Sequence, residues 1–260
     1  MTKKLHWHSE GEGLDLILIH GWGMNAAVWE QVMPRLKDQF RIHTVDLPGF
    51  GLSHQAGTYS LEEMAQLLLR ESPDDAIWLG WSLGGLVATQ AALINPNKMK
   101  GLVTVASSPC FAEQDGWRGI KPAVLEAFSA QLENDFKVTI ERFMALQAMG
   151  SPTARQDIKW LKDAVLSRPL PDKAALSQGL DILGQADLRS QLRLLSVPML
   201  RMYGRLDGLV PIKVADDVSA LAPTSTQTVF AKASHAPFIS EPASFVESLK
   251  TFCGQFLPMH

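Results

Sequence analysis

Ala76-Ile77-Trp78-Leu79-Gly80-Trp81-Ser82-Leu83-Gly84-Gly85 opens directly into Leu86-Val87-Ala88-Thr89-Gln90-Ala91-Ala92-Leu93-Ile94. The first five residues are a short apolar run without helical spacing, which reads as a buried strand, and the last nine read as a helix. Between them lies Gly-x-Ser-x-Gly. A sharp strand-to-helix turn needs small neighbours, and it holds a serine hydroxyl above the sheet at the positive end of the following helix. The strand and helix on either side make this motif specific, because the five-residue pattern alone also arises as a plain glycine-rich turn. The stretch therefore predicts a nucleophilic Ser82 on a strand-turn-helix unit.

Similar apolar runs occur on either side at 14–19 (LDLILI), 41–46 (RIHTVD), 101–106 (GLVTVA), 197–204 (VPMLRMYG) and 226–231 (TQTVFA). With 76–80 they read as strands buried on both faces. Ser60 precedes LEEMAQLLLRE, whose Leu61, Met64, Ala65 and Leu68 fall on one face, and Glu63 completes a capping box. Strands alternating with such helices predict an α/β fold, a mostly parallel sheet covered by helices on both sides. The alternation lapses between about 110 and 190, where Phe136, Ile140, Phe143 and Gln147 mark a helical stripe and prolines 152, 169 and 171 divide the segment. The predicted organisation is a core of 1–109 and 191–260 with a helical cap, 110–190, over the carboxyl ends of the strands.

A serine hydroxyl needs a general base. Of seven histidines, His6 and His8 lie in a polar amino-terminal stretch, His43 inside a strand, His54 in a loop and His260 at the terminus. His20 follows the first core strand and shapes that loop. His235, in Ala-Ser-His-Ala-Pro-Phe between the last strand and a helix beginning near Glu241, is the expected base. Asp207 follows VPMLRMYG and completes the order Ser, Asp, His. Asp46 also ends a strand but precedes the nucleophile, and is read as structural. Backbone N–H groups of Leu83 and of Trp22, in HGWG, are the expected oxyanion donors, each worth about 2.7–4 kcal/mol in the transition state.

Composition narrows the function classes. The net charge of -3 offers no field for nucleic acid or an anionic membrane surface. The start, MTKKLHWHSEGEG, lacks the apolar core of a secretory signal and no run approaches the roughly 20 residues of a membrane span. A cytoplasmic protein, monomeric by default, is the expectation. Cys110 and Cys253 form no metal or disulfide pattern, and nothing calls for a metal or cofactor.

HGWGMN (20–25), DLPGFG (46–51), GWSLGGLVA (80–88), VASSPCF (105–111), RFMALQ (142–147), YGRLDGLVP (203–211) and AKASHAPFIS (231–240) together resemble one family across nearly the whole chain. It is that of the pimeloyl-[acyl-carrier protein] methyl ester esterases of biotin synthesis, serine carboxylesterases with the α/β-hydrolase fold. The resemblance implies hydrolysis of a methyl ester on a pimeloyl chain carried by acyl carrier protein. It also implies an acyl pocket lined by Trp22, Ser82, Leu83, Phe143, Met144, Ala145, Leu146, Gln147 and His235. Read from the residues alone, Phe143, Ala145 and Leu146 serve equally well as core of a cap helix.

An acidic carrier needs a basic landing surface. Residues 110–190 hold 10 Lys and Arg against 11 Asp and Glu, so only a local patch can supply it. Arg155, Lys159 and Lys162 recur on one face of a helix, and Arg142 lies on the helix before. A docking face and a solvated helix face are both open readings. The related esterases tend to carry arginines here, where this chain has Val138 and Lys159. The triad also leaves open a general short-chain esterase acting on small esters, a carbon–carbon bond hydrolase, and a non-catalytic ligand-binding protein of the same fold.

Overall fold

The computed structural model describes residues 4–54 and 56–257. Its frame is a sheet of β1 (Trp7–Glu10), β2 (Leu14–Ile19), β3 (Phe40–Val45), β4 (Ala76–Trp81), β5 (Met99–Val105), β6 (Met199–Gly204) and β7 (Thr226–Phe230). Among the described residues these seven strands lie in the order β1-β3-β2-β4-β5-β6-β7. All neighbours are parallel except β1, which pairs antiparallel with β3. Every residue of β4 and β6 is buried, as expected of strands covered on both faces.

Two sequence readings need correction at the sheet edges. The amino-terminal stretch read as merely polar forms β1, since an edge strand has one ladder to satisfy and tolerates the polar side chains of WHSE. At the opposite edge β7 is not buried on both faces: Thr226, Gln227 and Val229 are exposed. Its Cα register against β6 runs Leu200 to Thr226 through Gly204 to Phe230.

The helix α1 (Leu61–Glu71) starts where the capping box predicts, with the Ser60 and Glu63 side chains each bonded to the other's backbone N–H. Helix α2 (Leu83–Ile94) follows β4 without a linker beyond Ser82 and is nearly buried throughout. Between β5 and β6 the chain forms α3 (Pro122–Asn134), α4 (Phe136–Ala148), α5 (Ala154–Leu166) and α6 (Lys173–Gln185). Pro152 and the Pro169–Pro171 segment stand in the breaks between them. Then α7 (Val214–Leu221) links β6 to β7, and the short α8 (Pro237–Ser240) precedes α9 (Pro242–Cys253). Cys110 and Cys253 are both free and buried, and burial pushes the Cys253 thiol up to about 12.

The inserted helices are latched to the sheet by hydrogen bonds that no local pattern announces. The Asn25 amide reaches the carbonyls of Ala164 (3.2 Å) and Val165 (3.3 Å), Trp22 Nε1 donates to the Leu176 carbonyl at 2.8 Å, and Asp172 N–H donates to Gly49 O at 2.8 Å. Arg168 closes a 2.8 Å ion pair on Asp46, whose carboxylate is wholly buried. Asp46 also accepts from the Ala26 and Leu52 N–H groups at 2.7 and 2.8 Å. Its role is structural, as read from the sequence, with a buried charge that is both paired and hydrogen-bonded.

Candidate active site

β2, β4, β6 and β7 all end at the same edge of the sheet, and their following loops carry Trp22, Ser82, Asp207 and His235. Ser82 sits at φ 54°, ψ −118°, a conformation that costs a non-glycine residue about 1–3 kcal/mol. Its surroundings hold it there. Ser82 N–H donates to Val105 O at 2.9 Å, and its carbonyl accepts from Gly85 N–H and from Ser107 Oγ, each at 2.9 Å. The flanking glycines are required by close approach: a Cβ on Gly80 would stand 2.1 Å from Gly84 O, and one on Gly84 would stand 2.4 Å from Ile19 O.

His235 Nε2 lies 2.9 Å from Ser82 Oγ, and its Nδ1 lies 2.7 Å from Asp207 Oδ2. The other carboxylate oxygen, Asp207 Oδ1, accepts from the Leu209 and Val210 N–H groups at 2.8 and 3.0 Å. A carboxylate facing Nδ1 leaves the proton there and the Nε2 lone pair directed at the serine hydroxyl. His235 is fully buried and Ser82 is 1% exposed, so these charges act in a medium that screens them weakly. The imidazole is also fixed through its backbone. Its N–H donates to Gln147 O of α4 at 3.0 Å, and its carbonyl accepts from Trp81 Nε1 at 2.7 Å.

The loop bearing Trp22 packs against this turn, with Gly21 so near that an added Cβ would lie 3.2 Å from Ser82 Cβ. Among the described residues, the Trp22 and Leu83 N–H groups donate to no protein acceptor. The Leu83 group heads α2, where unpartnered N–H groups and the helix dipole favour an anion. The Trp22 indole meets Phe143 edge-to-face at 4.7 Å between ring centroids, and Phe143 meets Phe128 at 5.7 Å, an aromatic row running from the Trp22 loop to α4 and α3.

Of the five α4 residues expected to line an acyl pocket, Phe143, Met144 and Gln147 are buried, Leu146 is half-buried and Ala145 is exposed. Ala145 therefore departs from that expectation, standing on the outer side of the helix from Phe143 and Gln147. The Gln147 carboxamide is distinctive: it is buried, and neither its nitrogen nor its oxygen has a protein partner. Arg155, Lys159 and Lys162 are exposed on α5, and some of the basic side chains have local partners. Arg142 reaches Gln131 on α3 and lies over Phe128, Lys162 pairs with Glu141 at 2.8 Å, and exposed Lys159 borders a groove with Gln31, Gln156 and Ile239. Arg155 is exposed near the start of α5.

His20 is the loop-shaper expected. Its Nε2 accepts the Leu47 N–H at 2.9 Å, so Nδ1 carries the proton and donates to Gly21 O at 2.8 Å. Burial holds its pKa below the usual imidazole value, against the opposing pull of the Asp46 carboxylate. The native state thus refuses a proton that the unfolded chain accepts below about pH 6.5, and its stability contribution, full above that pH, is lost as the pH falls. Urea unfolding at pH 7.5 and 5.5 should show the native chain losing more stability than His20→Gln over that interval. His43 is engaged elsewhere in the sheet, and His260 lies outside the described residues.

Sequence reasoning missed the braces around the triad: Ser107 on the Ser82 carbonyl, Leu209 and Val210 on Asp207, and Trp81 and Gln147 on the His235 backbone. Only the pattern after Asp207, an acid two and three residues before free N–H groups, is a local signal. The described residues contain no group of three or more His, Cys, Asp or Glu side chains able to hold a metal, and no helix among them is long and apolar enough to cross a membrane.

The chain is similar to known proteins over nearly its whole length. The family described as alpha/beta hydrolase fold matches residues 16–242. The pimeloyl-[acyl-carrier protein] methyl ester esterase of Photobacterium profundum is 63% identical, with 97% of this chain and 99% of that protein covered. The protein of the same name from Vibrio cholerae serotype O1 is 59% identical over 97% and 99% of the two chains. Among solved structures, an esterase from Exiguobacterium antarcticum superposes with a TM-score of 0.85 at 23% identity, covering 95% of this chain and 94% of that one, which speaks to the fold alone. The chain belongs to the α/β-hydrolase family.

Proposed function

We propose that this chain hydrolyses the methyl ester of pimeloyl-[acyl-carrier protein] in biotin synthesis, releasing methanol and the free distal carboxylate, with Ser82 as nucleophile. The observation that carries the chemistry is the unbroken relay Ser82 Oγ to His235 to Asp207, with spacings of 2.9 and 2.7 Å. The full-length likeness to esterases of that name, 63% in the case above, carries the substrate.

The steps follow from the geometry. His235 Nε2 takes the hydroxyl proton as Ser82 attacks the ester carbonyl, while Asp207 stabilises the imidazolium. The Leu83 and Trp22 N–H groups receive the oxyanion. His235 then protonates departing methanol, and the acyl-enzyme is cleaved by a water that His235 deprotonates in turn. Every step is proton transfer, nucleophilic addition or expulsion of an alcohol from a tetrahedral intermediate, chemistry that these side chains and backbone N–H groups supply. In this reading residues 110–190 act as a cap on a core of 1–109 and 191–260, the protein works as a cytoplasmic monomer, and Trp22, Phe143, Met144 and Gln147 border the acyl chain. Because Ser82 is 1% exposed, the ester is admitted by parting the cap helices from the core.

Gln147 gives this reading a stability cost it should be possible to see. A buried carboxamide without protein partners is destabilising by about 1–3 kcal/mol, a price accepted where the site must meet polar groups of a substrate. Gln147→Met keeps the volume and the backbone bond to His235. The variant should unfold about 1–2 kcal/mol less readily while kcat/KM for the carrier-bound ester falls, both measured on one preparation.

The experiment that tests the substrate compares pimeloyl-carrier methyl ester with p-nitrophenyl acetate. Carrier docking is assigned to Arg155 and Lys159 on α5, flanked by Arg142. Arg155→Glu with Lys159→Glu should raise KM for the carrier-bound ester about tenfold or more and leave the small ester unaffected. Equal effects on both would defeat the docking assignment, and equal kcat/KM of the unaltered protein on both esters would favour a general short-chain esterase.

A further inference from the structure

A second serine, histidine and aspartate stand in line on the antiparallel edge of the sheet, on strands other than the one that leads to Ser82. His43 on β3 is buried, with Nε2 at 2.6 Å from Asp15 Oδ1 on β2 and Nδ1 at 2.8 Å from Ser9 Oγ on β1. Asp15 is partly exposed and Ser9 exposed. The carboxylate accepts from Nε2–H, so the Nδ1 lone pair is the one that faces the serine hydroxyl. The imidazole is turned end for end relative to His235, yet the three groups stand in the same chemical order. No other part of the fold uses these contacts.

The edge position supplies what a nucleophile further needs. Asp46 N–H donates to His6 O in this ladder, and bonded pairs alternate along an antiparallel ribbon. Ser9 and His43 are direct partners one step out of that phase, so the Ser9 N–H points away from β3. β1 is the last strand of the sheet, and that N–H faces outward, able to meet an oxyanion forming on an acyl group at Oγ. Arg41, exposed and in register with Asp15, occupies the diagonal position from Ser9, within reach of a long side chain.

We propose that Ser9 is a second, surface nucleophile, activated by His43 and Asp15, that accepts acyl groups from activated esters. Oγ adds to the ester carbonyl as its proton passes to His43 Nδ1. The carbon–oxygen bond to the leaving group then breaks, the leaving group departs as its anion or takes that proton, and the acyl group remains as an ester on Ser9. No oxidant, metal or further reactant enters.

The test uses the full chain carrying Ser82→Ala, incubated with p-nitrophenyl acetate and followed by intact mass and peptide mapping. Acetylation at Ser9 is expected ahead of every other serine, abolished by adding Ser9→Ala. It should slow about 10²-fold on adding His43→Gln, the lower range of general-base assistance, and fall likewise with Asp15→Asn. Thermal melts confirm that each variant is folded, and Ser9→Ala in the otherwise native chain leaves Ser82-dependent ester hydrolysis unchanged. The proposal is overturned if Ser9 is acetylated no faster than other exposed serines, or if His43→Gln leaves its acetylation rate as it was.

Discussion

Ser82→Ala lowers kcat for the carrier-bound methyl ester by about 10⁶-fold, with little change in melting temperature. The size follows from the way the three residues act as one unit: without the hydroxyl, neither the base nor its carboxylate has a proton to move, and only oxyanion stabilisation and binding remain. The fold should be untouched because alanine keeps the Cβ, the backbone bonds of residue 82 to Val105 and Gly85, and the Ser107 hydroxyl bond to its carbonyl. Replacing a strained serine by an equally strained alanine leaves the φ of 54° unrelieved. Steady-state hydrolysis with the carrier-bound ester, beside a melt of the same sample, checks both halves. A variant retaining more than about a thousandth of the activity would show that another group performs the attack.

Asp207→Asn costs about 10⁴-fold in kcat, and the mechanism of that loss is specific. In the native chain Oδ1 accepts two backbone N–H groups while Oδ2 faces His235 Nδ1. Asparagine keeps its oxygen on Leu209 and Val210, which turns the amide NH₂ towards Nδ1. Two donors cannot face each other, so the imidazole proton moves to Nε2 and the base facing Ser82 is lost. A structural role alone would reduce stability instead. The variant should therefore melt near the native temperature, and alkaline pH should not restore its rate. A loss of less than about tenfold would place the orienting group elsewhere.

The strand-turn-helix around Ser82, the capping box at Ser60 and the chain order of the triad were legible because each is written in consecutive residues. A sharp turn needs its glycines beside the serine, and an N-cap needs its glutamate three residues on. What escaped depends on partners far along the chain. Nothing in WHSE signals that it pairs with residues 42–45, since an edge strand does not need apolar alternation. TQTVFA reads as a buried strand until its edge position exposes Thr226, Gln227 and Val229. Ala145 sits between buried residues in RFMALQ, yet helical rotation carries it to the outer surface. Arg142 reaches Gln131 on α3 and Lys162 pairs with Glu141, partners that the spacing of the basic residues does not announce. The alignment of Ser9, His43 and Asp15 arises across three strands and has no local signature at all.

Fluorophosphonate labelling followed by peptide mapping shows whether His235 and Asp207 make Ser82 the attacking group. Rapid modification is expected at Ser82, none at that position in Ser82→Ala, and labelling of Ser82 slowed by orders of magnitude in His235→Gln. Rapid modification centred on another residue, or labelling of Ser82 at an unaltered rate without the imidazole, would contradict it.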